Sequence, residues 1–485
     1  MENITDIVQI KHEVLRLTAR HAFDGDLYDS YDKIPYEMIE GIKPQFRCCV
    51  YREREIVRQR VRMAMGKLPL DVLYTDADSA QVVHVIPCAC EGCPITKITV
   101  TQNCQSCLAK KCVKACPFGA ITSTPQGAVI DQAKCRKCGK CVAACPYNAI
   151  VEIERPCIKS CPVKAINMDE NDIATIDPKK CVNCGACVVG CPFGAISDVS
   201  MMVSVIDALR DGGKEVVAMI APSIEGQFGA ATLPQIKQAI RRLGFDDVYE
   251  VALGADMVAY NEAAELSEHR AAGEPMTSSC CPAFVNLVHK HFPALEKYVS
   301  TTVSPMVAVE RYIRSIRPDV VTVFIGPCIA KKNEVMGSYV DEIDYALTFE
   351  ELYAMLCAQG IEVEEASPAP EDATRYGKGF AVSGGVTGAV TAVLRERGQE
   401  TGLKAQKCNG ADECRKALML LKAGKLPVDF LEGMFCVGGC MGGPATLAEI
   451  QKSKKVFDTR LDGADNVTQN VESKGLDKAN VHRHS

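Results

Sequence analysis

The chain contains no tryptophan and no uninterrupted run of eighteen apolar residues, which excludes a simple membrane-spanning helix. Its opening residues, MENITDIVQIKHEVLRL, are amphipathic and charged and lack the apolar stretch of a secretory signal. The net charge is only −6, which argues against nucleic acid as a partner. Nor are the cysteines arranged like those of a small disulfide-stapled secreted domain. These absences lead us to expect a protein of a reducing, oxygen-poor cytoplasm, with neither nucleic acid nor membrane as partner. With 485 residues, 47% of them apolar, there is material for roughly two to four domains with real cores.

Cysteine is what the chain has in abundance, 27 in all. Cys181, Cys184, Cys187 and Cys191-Pro192 follow C-x2-C-x2-C-x3-C-P, an iron–sulfur ligand pattern. Cys135, Cys138, Cys141 and Cys145-Pro146 repeat it, and Cys104, Cys107, Cys112 and Cys116-Pro117 stretch it. Soft thiolates hold iron–sulfur cores, so this region moves electrons. Stretches of the form C-P-x-x-A-I begin at Cys116, Cys145, Cys161 and Cys191 and mark an internal repeat over residues 88–200. Short strands are predicted at Ala128–Ile130 and Ala174–Ile176, and the whole resembles two ferredoxin-like pairs. In such pairs the fourth cysteine of one motif completes the cluster of the other. That rule groups Cys104, Cys107 and Cys112 with Cys145, then Cys135, Cys138 and Cys141 with Cys116, then Cys181, Cys184 and Cys187 with Cys161. Cys157 and Cys191 are left over, and Cys90 and Cys93 complete a fourth cluster with them. The alternative is that this half has lost its cluster and holds ordinary buried cysteines. Lysines and an arginine from Lys110 to Lys180 crowd the same region. They offset anionic clusters, steer an acidic electron carrier, or form a solvated basic face.

Before this region, residues 1–87 form a helical segment. Its basic stretch Tyr51 to Lys67 either packs on the cluster region or presents charge to solvent. Cys48 and Cys49 are adjacent, which disfavours joint ligation and points to a buried structural role. After residue 200 the texture becomes that of an α/β domain, here 201–455. Strands are predicted at Val216–Ile220, Val320–Ile325 and Gly379–Val382, with a helix from Leu233 to Leu243. Cys357 reads as a buried helix thiol, and His289 and His291 as surface residues. Cys408 and Cys414 are spaced for a metal pair that nothing nearby completes. Residues 456–485 are polar, and a mobile tail is expected.

Three further cysteine segments do not follow ferredoxin spacing. They are Thr277-Ser278-Ser279-Cys280-Cys281-Pro282-Ala283-Phe284, Gly326-Pro327-Cys328-Ile329-Ala330-Lys331, and Glu432-Gly433-Met434-Phe435-Cys436-Val437-Gly438-Gly439-Cys440. Each sets cysteine beside proline or glycine, where backbone can approach a cofactor closely. Cys328 directly follows a predicted strand, and ligand sites collect at strand ends in α/β sheets. Together and in this order, the segments resemble the cysteine signatures of the iron-only (FeFe) hydrogenases. The resemblance covers residues 88–448. It extends to Ala221-Pro222-Ser223, Asn261-Glu262-Ala263-Ala264-Glu265, Ser304-Pro305 and the stretch from Ser383 to Gly388.

The resemblance implies an α/β catalytic domain preceded by ferredoxin-like (α+β) 4Fe–4S modules. It implies an H-cluster, a 4Fe–4S cubane joined by one cysteine sulfur to a two-iron unit with CO, cyanide and a bridging dithiolate amine. The cubane ligands would be Cys281, Cys328, Cys436 and Cys440, the last bridging. Cys280 would exchange a proton with the amine, Lys331 would hold a cyanide by a charge-assisted hydrogen bond, and Met434 would pack beside the bridging CO. Ala221, Pro222 and Ser223 would lie near the cofactor. Glu262, Glu265 and Ser300 would carry the proton onward; glutamates three apart share a helix face. Three departures alter the pocket wall while sparing the ligands: Gly326 replaces a methionine, Ala283-Phe284 a Gly-Trp pair, and Pro444-Ala445 follows Gly443 where the family continues Gly-Gln-Pro.

The implied activity is reversible oxidation of H2 to protons and electrons. The implied partners are a ferredoxin-like carrier and hydrogenase maturation proteins. A redox or H2 sensor, or an electron-transfer protein with little turnover, is the rival reading; an iron–sulfur maturation scaffold is a third. The presence of Cys280 and Glu262 weighs against both, because a cluster holder needs no proton relay.

Overall fold

Every C-P-x-x-A-I stretch leads from a short helix into a strand, and four such turns build the cluster module. The computed structural model describes residues 6–69, 81–93, 97–339, 341–363, 373–399, 402–461 and 463–483. In one ferredoxin-like unit, Lys97–Val100 pairs antiparallel with Ile150–Ile153, and Ile121–Thr124 forms a hairpin with Gly127–Ile130. Its helices Lys111–Ala115 and Lys140–Ala144 pack together. In the other unit, Val83–Val85 pairs with Ile196–Asp198, and Ile166–Met168 with Ala174–Ile176. The two units are nested rather than tandem. The opening strand of the second unit, Val83–Val85, precedes the entire first unit, so residues 97–153 are an insertion within the second. The cluster module therefore starts before residue 88.

The N-terminal helices Ile7–Asp24 and Val50–Ala64 share a continuous apolar core with the downstream domain. The basic helix Val50–Ala64 faces the cluster module. Arg52 Nε donates to Cys88 O at 3.0 Å, and the buried Arg60 guanidinium donates to Gly194 O. Cys48, expected to be buried, is exposed just ahead of this helix. The helix begins its apolar face only at Val50, so the cysteine before it has nothing to pack on.

The downstream domain holds two wholly parallel sheets. One runs Asp247–Glu250, Val216–Ile220, Val321–Gly326, Tyr345–Thr348; the other runs Met276–Thr277, Phe430–Met434, Ala405–Asn409. The three inner strands Val216–Ile220, Val321–Gly326 and Phe430–Met434 are mostly apolar and almost wholly buried, as strands covered on both faces must be, with Thr322 and Glu432 as polar exceptions. The strand expected at Gly379–Val382 is a turn between helices Arg375–Gly379 and Gly385–Glu396. The Glu432 carboxylate accepts from the Gly384 and Thr387 N–H groups at 2.6 and 2.8 Å, which fixes a helix start there.

The tail expected to be mobile is packed. Helix Val467–Ser473 lies on helix Val251–Ala272, and Val467, Val471, Leu476 and Val481 enter the main core. A few apolar residues at helical spacing anchor a segment whose average composition is polar.

Cluster module and downstream domain are locked by one ammonium. The fully buried Lys332 donates to Asp198 at 2.6 Å and to Glu351 at 2.7 Å. Lys332→Met leaves the buried Glu351 without its cation. The expected cost is about 3–5 kcal/mol, read as a lower denaturation midpoint; an unchanged midpoint would refute the lock.

Candidate H-cluster site and its proton line

Four chain segments leave the carboxyl ends of the parallel strands and converge on one cavity of about 80 Å³. Ala221, Pro222 and Ser223 follow Val216–Ile220, and Cys328 and Lys331 follow Val321–Gly326. Cys280 and Cys281 follow Met276–Thr277, and Cys440 follows Phe430–Met434, whose last residue Met434 also lines the wall. Burial first, and then the charges of neighbouring cysteines (Cys281 on Cys328; Cys328 and Cys281 on Cys440), raise the Cys328 and Cys440 thiols to about 11 and about 12. Cys436 is pushed well up by burial and then by Cys328, Cys281 and Cys440. The four thiols thus stand together where they cannot ionise unaided, which is the donor set a cationic iron cage requires. Among the described residues no three His, Cys, Asp or Glu side chains close on a single metal ion; Cys281, Cys328 and Cys440 line the cavity. Ser223 Oγ is buried at this cavity without a hydrogen-bond partner, a donor free for a bound group. Lys331 Nζ is held at 2.7 Å by Glu334 Oε2. The residues fit the H-cluster.

Cys280 is buried, and its thiol is pushed well above its usual value by burial and then by the Glu262 charge. Behind it a line of hydroxyls and carboxylates crosses the core. Glu262 Oε1 accepts from Ser279 N and Oγ at 3.2 and 3.3 Å and from Thr302 Oγ1 at 3.4 Å. Thr302 Oγ1 lies 2.9 Å from Ser279 Oγ and 2.8 Å from Ser300 Oγ. Ser300 Oγ donates to Glu265 Oε2 at 2.7 Å, and Glu265 is half-buried at the outer end. Burial, and then the Glu265 charge, push the Glu262 carboxyl up to about 7.

The four expected cluster groups also assemble. Burial raises the Cys112, Cys141, Cys157 and Cys187 thiols first, and the like charges that act next are their expected mates. These are Cys145 and Cys107 on Cys112, Cys135 and Cys116 on Cys141, Cys191, Cys90 and Cys93 on Cys157, and Cys184, Cys181 and Cys161 on Cys187. Cys104, Cys107, Cys112 and Cys145 line a small cavity of their own, while Cys138 is exposed. Backbone geometry repeats as well. The residue before the second cysteine of the first C-x2-C pair in each set is left-handed: Gly92, Ser106, Lys137 and Asn183, with φ of 52°, 48°, 52° and 54°. Ala120, Ala149, Ala165 and Ala195 each donate N–H to the cysteine sulfur four residues earlier, at 3.2–3.4 Å. The Cys90–Cys93 loop therefore has the conformation of the other three.

Residues 214–444 match the family model of the iron only hydrogenase large subunit, C-terminal domain, and residues 103–149 and 155–195 match the 4Fe-4S dicluster domain. This region of the chain belongs to the iron-only hydrogenase family. The chain is 29% identical to iron hydrogenase 1 of Clostridium pasteurianum, over 51% of this chain and 52% of that protein. It is 28% identical to the periplasmic Fe hydrogenase large subunit of Nitratidesulfovibrio vulgaris, over 54% and 76%. It thus spans about half of the first and three quarters of the second. An FeFe hydrogenase of Chlamydomonas reinhardtii has a similar structure at 23% identity, with a TM-score of 0.47, covering 56% of this chain and 93% of that one.

The departures from the hydrogenase signatures have local partners. A Cβ at Gly326 would meet the Phe324 ring at 2.4 Å, and that ring lines the cavity. A Cβ at Gly185, in the Cys184–Cys187 loop, would meet Ile329 at 2.6 Å and Pro444 at 2.9 Å. That loop presses on the second and third signatures, and the Cys184 charge acts on Cys436. Ser279 and Thr302 were not among the expected relay residues; their hydroxyls beside Cys280 and Ser300 were the available signal. Cys408 and Cys414 are fully buried in an apolar cluster and hold no metal set. His291 is held by Lys180 O at 2.9 Å, and His289 is exposed as expected. Cys357 is half-buried in helix Phe349–Ala358.

Glu262 makes stability depend on pH. Its folded value lies above the ordinary carboxylate value, so the folded state binds the proton more tightly. The stabilisation is full below about pH 4 and is lost as pH rises through about 7. Glu262→Gln is expected to raise the melting temperature relative to the parent at pH 8 more than at pH 5; an equal offset at both would contradict the buried, protonated carboxyl.

Proposed function

We propose that this protein is an FeFe hydrogenase that interconverts dihydrogen with protons and electrons. The observation that carries the reading is the hydrogen-bonded line Glu262–Thr302–Ser300–Glu265 behind the buried Cys280, which supports a proton path that a protein merely holding clusters does not need. When bound, the H-cluster supplies the cleavage and formation of dihydrogen. Cys281, Cys328, Cys436 and Cys440 would hold its cubane, and Lys331 Nζ and Ser223 Oγ are the donors for its polar ligands. Met434 and Phe324 wall the cavity and exclude water.

Cys280 Sγ holds the proton at the cavity and Glu262 receives it. A carboxyl near 7 is populated in both states at neutral pH, where general acid–base transfer is most efficient. Thr302, Ser279 and Ser300 hydroxyls pass it to Glu265. Electrons would leave on the opposite side, where the Cys184 loop lies within reach of Cys436 and the remaining cysteine sets would hold the 4Fe–4S clusters that carry them. Around the first unit Lys110, Lys111, Lys114, Lys137 and Lys140 are exposed beside Leu108, itself 95% exposed. That basic, partly apolar rim suits an acidic ferredoxin-like carrier. Thiols in this number suit a reducing cytoplasm, and maturation proteins would install the two-iron unit.

Anaerobically matured protein is expected to reduce a viologen dye with H2 and to show CO and cyanide infrared bands. Bands without turnover would sink the enzyme reading. Cys280→Ala should abolish turnover at unchanged iron content. Thr302→Val should lower turnover about tenfold, the worth of roughly one hydrogen bond, and Thr302→Ser should restore it; full activity in Thr302→Val would remove Thr302 from the line.

A further inference from the structure

The cluster site nearest the catalytic cavity is the most heavily buried of the four groups, and residues from outside its own loop reach it. Cys181 and Cys187 are buried, and burial opposes the extra negative charge of a reduced cluster. Left alone, this site would be the hardest step for an electron to enter. Yet Gln81 Nε2 donates to Cys181 Sγ at 3.5 Å while also bonding Val83 O at 3.0 Å, and Gln81 is only 8% exposed. The Asn183 N–H donates to the same sulfur at 3.4 Å. Asn183 Oδ1 accepts the Val82 N–H at 3.3 Å, which ties the Gln81 segment to the ligand loop. From the catalytic domain, Lys290 Nζ donates to Cys181 O at 2.6 Å and to Pro178 O at 3.0 Å. At the other sulfurs of the module the donors described above are backbone N–H groups.

We infer that Gln81 and Lys290 raise the reduction potential of the cluster on Cys161, Cys181, Cys184 and Cys187, offsetting its burial so that the electron can wait beside the catalytic cubane. Both are positioning residues: neither touches the reacting atoms. A donor on a cluster sulfur and a cation at the ligand's own carbonyl each stabilise the more negative, reduced state. Gln81 supplies the stronger effect because it is buried, while Lys290 is largely solvated and screened. This rests on the cluster assignment proposed above.

The test is a redox titration of the full chain, its 4Fe–4S clusters in place and its two-iron unit absent, followed by electron paramagnetic resonance. The third cluster is recognised by its magnetic coupling to the neighbouring cubane. Gln81→Leu should lower its reduced-to-oxidised ratio at a fixed potential about tenfold, about 59 mV for one electron. Lys290→Met should lower it by a smaller factor, and Lys290→Arg should restore the parent value. The other clusters should not move. A parent-like midpoint in both Gln81→Leu and Lys290→Met, or a common shift of every cluster, would overturn the inference. Should Gln81→Leu lose iron, Lys290→Met and its arginine rescue decide alone. Because no turnover is measured, failure of the hydrogenase reading would leave this result intact, and failure here would leave that reading intact.

Discussion

Thiolates cannot gather in a dry cavity without a cation to hold them. Burial, together with the charges of neighbouring cysteines, raises Cys328 and Cys440 to about 11 and about 12, so each further thiolate makes its neighbours harder to ionise. On the reading proposed above, iron would supply the positive charge that lets these thiols ionise together. The surrounding architecture follows from the same need. Two parallel sheets bring separate cysteine segments to one place, because every strand delivers its carboxyl end to the same side. No single contiguous loop could surround a cage from so many directions.

In the function proposed above, that geometry would also separate protons from electrons. Cys280 directly precedes Cys281, which caps helix Pro282–His291, yet the two thiols have different neighbours. Cys280 answers to Glu262, in the main core, while Cys281 shares its surroundings with Cys328 and Cys436. Glu262 lies on helix Val251–Ala272, beneath Ser279 and Thr302. Cys436 lies on the far side, within reach of the Cys184 charge. A proton and an electron starting at one cavity are thus given different neighbours from the first step.

The ligand chemistry was legible in the sequence because spacing encodes it. Each C-x2-C loop must wrap one corner of a cage, and the crossing of the fourth cysteine follows from pairing two such loops. Glu262, Glu265 and Ser300 were expected through the family resemblance, with which the three-residue spacing of the glutamates agrees. The nesting of the units was not legible, since Val83–Val85 is three residues long and its partner Ile196–Asp198 lies more than a hundred residues away. Met276–Thr277 escaped for the same reason: two residues carry no periodicity. Gly379–Val382 was mistaken for a strand because the carboxylate that starts the following helix, Glu432, comes from a distant segment. The tail misled through its average, its anchors being only a few valines and a leucine. Thr302 and Ser279 were hidden because a hydroxyl's role depends on its neighbours in space.

The nesting explains why the fourth cysteine set looks broken in sequence. Cys90 and Cys93 directly follow the opening strand of the second unit, and Cys157 opens the helix that this unit needs next. The first unit, residues 97–153, sits in the gap between them. Among the described residues, the second unit supplies contacts to the downstream domain. Asp198 meets Lys332, Gly185 meets Ile329 and Pro444, and the Cys181 carbonyl meets Lys290. The inner unit is therefore held in a fixed relation to the cavity, as tunnelling to the cubane demands. The inserted unit has no such duty, and it is there that Leu108 and its surrounding lysines stand open to solvent. Rigid burial at the inner end and exposed charge at the outer end are what a wire between a sealed catalyst and a diffusing carrier requires.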